Sequence, residues 1–179
     1  MSNNQILIGG TLLTLIFAAV LFWPREEAAS NKELRLPPPQ VENKIHSTTN
    51  PEAVNVTMYK NPGCGCCTKW AEHMVSEDSF EVREIAASNI YEIKAEAGIP
   101  RELSSCHTAK IGSYFVEGHV PMEQVKRLLE EKPDAIGLTV PGMPVGSPGM
   151  EVEGREAAPY DVLLIRKDGS TEVFASYNK

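Results

Sequence analysis

The sequence predicts an α/β domain, on three observations. Runs of period-two alternation at residues 55–60, 80–86, 160–166 and 171–177 read as strands. Apolar residues spaced i, i+3 and i+4 in the intervening segments read as amphipathic helices. Lys167-Asp168-Gly169-Ser170 joins the last two runs, and Asp-Gly between alternating segments signals a hairpin. Bulk composition agrees: 179 residues, 42% hydrophobic and 23% charged, suit a folded chain with room for one main domain. The formal net charge of −7 argues against a nucleic-acid partner, because phosphate neutralisation needs a basic face. Four cysteines are too few for a disulfide-dense mini-protein, yet three of them fall within four positions.

The first 24 residues stand apart from that domain. No charged side chain precedes Arg25, and residues 6–23 (ILIGGTLLTLIFAAVLFW) are mostly apolar. Their length approaches the ~20 residues a helix needs to span a bilayer. Thr11 and Thr14 give no polar stripe, and Trp23 suits an interface. A cleaved signal peptide is the competing reading, but the basic n-region is missing and Glu26 and Glu27 crowd the Ala28/Ser30 site. An uncleaved inner-membrane anchor is therefore the expectation, with a soluble, cleaved form as the alternative. Either way the remainder is expected outside the cytoplasm of a bacterium, on the periplasmic side, although Arg25 and Lys32 lie on the wrong side for that orientation under the positive-inside tendency. Residues 25–53 carry mixed charge, few large apolar side chains and Pro37-Pro38-Pro39, and read as a flexible tether. The domain proper is expected over residues 54–179.

Within the domain, Val56 and Met58 share one side of the first strand, which Asn61-Pro62-Gly63 ends. A helix is expected from Cys66 or Cys67 to about Glu77, burying Trp70, Ala71, Met74 and Val75. The 80–86 strand follows. Asn89 and Glu92 have capping-box spacing before a second helix with Ile90, Ile93 and Ala97 inward, stopped by Gly98-Ile99-Pro100. A third helix opens at Pro121 with Met122, Val125, Leu128 and Leu129 inward, and meets Pro133. Strand, cysteine motif at a helix start, strand, helix and terminal hairpin is the order of a thioredoxin-like fold. Residues 99–158 are too long for a simple connection there and read as an inserted segment.

Chemistry concentrates in Gly63-Cys64-Gly65-Cys66-Cys67. Cys64 and Cys67 have the C-x-x-C spacing of redox dithiols, and are the catalytic pair if the site is redox-active. Cys64 and Cys66 form a C-x-C that can place two sulfurs on one metal. A helix N-terminus favours thiolates over thiols. Three thiolates repel, so the cluster calls for a bound cation or for oxidation of two sulfurs. Soft sulfur suits Cu(I) first and zinc second. Buried structural thiols are the bland alternative, which small side chains between glycines serve poorly. Cys106 is a fourth candidate ligand or a resolving thiol, against a lone structural cysteine. His107 reads equally as a nitrogen ligand or a solvated loop residue. Met143, in a Pro/Gly-rich loop with no helical stripe, is a thioether ligand or a loop pin, and Met150 is a weaker ligand candidate. Met58, Met74, Met122 and Trp70 belong to the core. His73 reads as a surface or core-edge residue, His46 as an inert part of the tether, and His119 only as the approach to the third helix.

The runs YKNPGCGCC-TKWAEHM, SCHTAKIG, GHVP and VPGMPVGSPGME, in that order, resemble the CopG-like copper-resistance family, thioredoxin-like proteins with a CxCC motif. The resemblance covers about residues 54–179. It implies a periplasmic-side protein that binds copper through Cys64, Cys66 and Cys67 and interconverts Cu(I) and Cu(II), with Cys106 and Met143 also matching family motifs. A copper-handling or electron-transfer protein is the implied partner. Three functions compete: a copper-binding redox protein, a thiol–disulfide oxidoreductase using Cys64 and Cys67, and a passive metal store or zinc-structured module.

Overall fold

The computed structural model describes residues 43–179. The apolar span at 6–23 and the first part of the tether lie outside the described residues. Among the described residues no helix is long and apolar enough to cross a membrane.

The fold is mixed α/β and dominated by one eight-stranded sheet. In chain order the elements are β1 (Asn43–His46), β2 (Val54–Lys60), α1 (Gly65–Val75), β3 (Phe80–Ala86), α2 (Ile90–Glu96), β4 (His107–Ile111), β5 (Tyr114–Glu117), α3 (Met122–Glu131), β6 (Ala135–Thr139), β7 (Tyr160–Arg166) and β8 (Thr171–Tyr177). The order across the sheet is β1-β3-β2-β4-β5-β6-β7-β8. β2 runs parallel to β3 and β5 to β6, and every other pairing is antiparallel. Both parallel pairs are joined through a helix, as parallel strands require.

Strand alternation sorts side chains onto two faces. Val56 and Met58, Phe80 and Val82, Ala109 and Ile111, and Val116 join Trp70, Met74, Val125 and Leu128 of α1 and α3 in the main core. Trp70 is fully buried, and its indole N–H donates to the Val120 carbonyl at 2.9 Å. Removing so large a buried side chain typically costs ~3–5 kcal/mol. The opposite face carries a smaller cluster of Ala97, Ile99 and Ile165 behind α2.

The three helices and the strands at 54–60, 80–86, 160–166 and 171–177 fall where periodicity places them. Three expectations are corrected. Residues 99–158 are not an insertion: they supply β4 and β5 at the centre of the sheet, then α3 and β6. The terminal hairpin instead extends the sheet beyond β6. Alternation was hidden there because β4 and β5 are short and carry buried His107, Thr108 and Glu117, while β6 buries side chains of both faces. The stretch read as tether contributes β1, which pairs antiparallel with β3. His46 is not inert, since its Nε2 hydrogen-bonds Glu84 Oε1. A smaller difference lies at α2, where Asn89 makes no side-chain cap and donates through Nδ2 to Glu92 Oε2 at 3.2 Å.

Candidate metal centre

Sheet register assembles the site. Lys60 ends β2 opposite His107, which begins the antiparallel β4. The turn after β2 and the first turn of α1, which carry the three cysteines, therefore meet the residue before β4, Cys106. The β4–β5 hairpin pairs Thr108 with Glu117, and Gly118 N–H donates to the His107 carbonyl at 3.0 Å. One step further out, Cys106 faces His119. Gly118 makes this crossing possible: its φ is +72°, and a Cβ would lie 2.5 Å from Ser105 and 2.7 Å from the Val140 carbonyl.

On the first side, Cys64 caps α1 in extended conformation with no side-chain hydrogen bond, and the first turn holds no acidic residue. The helix thus offers its positive end to sulfur alone. Cys64 and Cys67 are joined as a disulfide, while Cys66 and Cys106 are free thiols. Cys67 is fully buried, and Cys64, Cys66 and Cys106 are half-buried. Cys66 Sγ stands between the two sides, 3.5 Å from Cys64 Sγ and 3.9 Å from Cys106 Sγ. All four sulfurs lie within 4.8 Å of one another.

On the second side, Cys106, His107 and His119 form another group whose ligand atoms lie within 4.8 Å. His119 Nε2 is 2.9 Å from Cys106 Sγ, and His119 Nδ1 is 2.8 Å from the Pro148 carbonyl. A carbonyl only accepts, so Nδ1 carries the proton and Nε2 keeps its lone pair for the sulfur or a metal. His107 Nδ1 lies 3.5 Å from Cys106 Sγ, and its buried Nε2 has no hydrogen-bond partner among the described residues. Burial, then the nearby His119, Lys94 and Lys60, holds the His107 imidazolium well below its ordinary range. Burial also lowers His119, against the pull of Pro148 and Glu151. Both rings are thereby kept in the neutral form that binds metal. Burial, and next the neighbouring Cys66, pushes the Cys106 thiol up to about 12.

The loop over 141–150 packs across this centre. Gly149, at φ +83°, abuts α1 so closely that a Cβ would lie 2.7 Å from the Trp70 main-chain nitrogen and 2.8 Å from the Cys66 carbonyl. Met143 is 52% exposed and shares with Cys106, Tyr91 and Arg101 a surface cleft of about 400 Å³. It stands at the rim of the site. His73 lies on α1 outside both groups.

Five of the residues singled out from the sequence, Cys64, Cys66, Cys67, Cys106 and His107, come together. His119 is the functional candidate that sequence reasoning missed. The signal was Gly112-Ser113, a two-residue hairpin turn from which counting outward sets Cys106 opposite His119.

Residues 103–150 match a family model described as "Protein of unknown function, DUF411". Two solved structures are similar: "Copper resistance protein copG- Form 2" and its Form 1, each with a TM-score of 0.66 and 37% identity. They are covered over their whole length, by 71% and 72% of this chain respectively. No curated protein matches the chain.

Proposed function

The chain belongs to the CopG-like copper-resistance family, and from that premise we propose that it holds copper, as Cu(I), through Cys64, Cys66, Cys67 and Cys106. The observation that carries the reading is the donor set itself. Four sulfurs within 4.8 Å, one of them 2.9 Å from an imidazole nitrogen, are a soft array of the kind that takes Cu(I) or zinc, and the copper-resistance relatives favour copper. Cys106 belongs to both groups and would be the donor common to them. His107 Nδ1, 3.5 Å from the Cys106 sulfur, supports a further donor, and Met143 at the rim is the remaining candidate. Bound copper would supply a one-electron Cu(I)/Cu(II) couple.

The protein's own part is protonic and redox. Cys106 must release its proton to bind metal, and until it does its thiol can donate to the His119 Nε2 lone pair 2.9 Å away. In the disulfide form Cys64 and Cys67 offer no thiolates, so an external thiol donor must first reduce that bond. A donor thiolate would attack half-buried Cys64 Sγ, expelling Cys67 as thiolate. A second donor thiol would then release Cys64 and leave as the donor disulfide. This leads to a second reading, thiol–disulfide exchange, which the Cys64–Cys67 bond favours. The strand and helix order from β2 to α3, with β2 between β3 and β4, supports a thioredoxin-like core. We place the domain on the periplasmic side, held by residues 6–23 or released by cleavage.

Anaerobic titration of the reduced full-length chain with Cu(I) tests the copper reading. Stoichiometric binding that is lost in Cys64→Ser, Cys66→Ser and Cys67→Ser is expected, and equal affinity in all three would reject it. Insulin reduction in the absence of metal tests the second reading.

A further inference from the structure

Two clusters outside the donor set, each built on a buried glutamate, share one construction. On the α1 face, Lys60 Nζ donates to Thr68 Oγ1 at 2.8 Å and pairs with Glu84 Oε2 at 2.7 Å. Thr68 Oγ1 in turn donates to the same Glu84 oxygen at 3.1 Å. On the α2 face, Lys94 Nζ donates to Thr108 Oγ1 at 2.8 Å and pairs with Glu117 Oε1, while Thr108 Oγ1 donates to Glu117 Oε2 at 2.5 Å. Glu84 and Glu117 are 2% and 0% exposed.

Each triad ends on the main chain of a sulfur-bearing turn. Lys60 Nζ donates to the Cys64 carbonyl at 3.3 Å, and Glu117 Oε1 accepts the Ser105 N–H at 2.6 Å. Stability alone does not explain two such clusters, because a buried ion pair is commonly no more stabilising than apolar side chains of the same volume. What an ion pair supplies and a leucine does not is a directed grip on a carbonyl or an N–H. The grips fall one residue from Cys106 and on Cys64 itself, the two cysteines that flank the Cys66 sulfur.

We propose that Lys60–Thr68–Glu84 and Lys94–Thr108–Glu117 are positioning triads that hold the Cys64 and Cys106 turns at the spacing the metal site requires. They work from opposite faces of the sheet and grip main-chain atoms, not the sulfurs that the Cys64–Cys67 bond joins. The purpose assigned to them rests on the copper reading; their geometry does not.

The second triad gives the cleaner test, because Lys94 and Glu117 are remote in sequence from the cysteine motif. Lys94→Met/Glu117→Leu removes both charges and the acceptor for Ser105 N–H. Lys94→Met/Glu117→Gln removes the same charges but keeps an amide oxygen for it. Iodoacetamide alkylation of Cys106 relative to Cys66 is read by peptide mass spectrometry in the reduced, metal-free, full-length chain. The Leu variant should alkylate Cys106 about tenfold faster than wild type, the factor carried by one lost hydrogen bond to a charged acceptor. The Gln variant should stay within about threefold of wild type, since a neutral acceptor still holds the N–H. A folded Leu variant with wild-type alkylation overturns the proposal, as does equal acceleration in both. Should the Leu variant fail to fold, Thr108→Val decides: about threefold acceleration supports the triad, since one neutral hydrogen bond is lost, and no change overturns it. Failure of the wild-type chain to bind Cu(I) would remove the copper reading and leave the alkylation result standing.

Discussion

The two sides of the sulfur centre are built by different means. The Cys64 side is local: three cysteines on one turn and the first turn of α1, in a stretch where Gly65 has open space around it. The Cys106 side is long-range. It needs the β2–β4 register, the β4–β5 hairpin, Gly118 without a Cβ and the 141–150 loop behind His119. A local site depends on helix nucleation and tolerates small changes, whereas an assembled site fails whenever any contributing element shifts. The triads beneath them follow the same division. The one under Cys106 is fully enclosed, at 3% and 0% side-chain exposure for Lys94 and Glu117. The one under Cys64 is 12% and 2% exposed and borrows His46 from β1.

Cys66 is where the comparison breaks most sharply, since its sulfur lies between Cys64 and Cys106. Cys66→Ser should lower Cu(I) affinity by more than the ~10–100-fold that loss of an outer-shell partner costs. Competition against a chromophoric Cu(I) chelator measures it, and a smaller loss than in His119→Gln would mean that the two sides do not share a centre.

Gly118→Ala should strike the assembled side alone. Backbone strain at positive φ costs ~1–3 kcal/mol, and the clash with Ser105 and Val140 adds to it. Urea denaturation should show the loss. An unchanged midpoint would mean that the hairpin crossing has slack.

Acid should act through the assembled side first. The folded pKa values of His107 and His119 lie below the ordinary 6.5 of a histidine, chiefly through burial. Below pH 6.5 the unfolded chain takes up protons that the folded chain refuses, so stability falls with falling pH, by up to ~1.4 kcal/mol per pH unit for each histidine. Glu84 enters lower. Burial opposes its charge, but the hydrogen bonds from Lys60 and His46 outweigh that and hold it below 4.5. Its contribution is complete above that value and is lost as pH falls through the folded pKa. Metal-free stability curves in His107→Gln should show a shallower limb below pH 6.5, and an identical limb would count against the neutral-ring assignment.

Gly65→Ala should do least. A Cβ at this position would meet nothing within 4 Å, and alanine in the first turn of α1 is expected to stabilise by ~0.5–1 kcal/mol. A loss as large as that of Gly118→Ala would erase the distinction between the two sides.

Local chemistry was enough to read the first side. The glycine-flanked cysteines, the amphipathic stripe of Trp70, Ala71 and Met74, and the Asp-Gly hairpin are contiguous patterns, and contiguous patterns act through short-range sterics and periodic burial. The sequence by itself therefore determined the helices, four of the strands and the cysteine turn. Tertiary structure decided the rest: that residues 99–158 form the middle of the sheet, that His46 meets Glu84, and that His119 stands 2.9 Å from the Cys106 sulfur. Those facts depend on strand register between distant segments. Register is set by which faces can be buried together, and buried His107, Thr108 and Glu117 look polar in the chain until their partners across the sheet are in place.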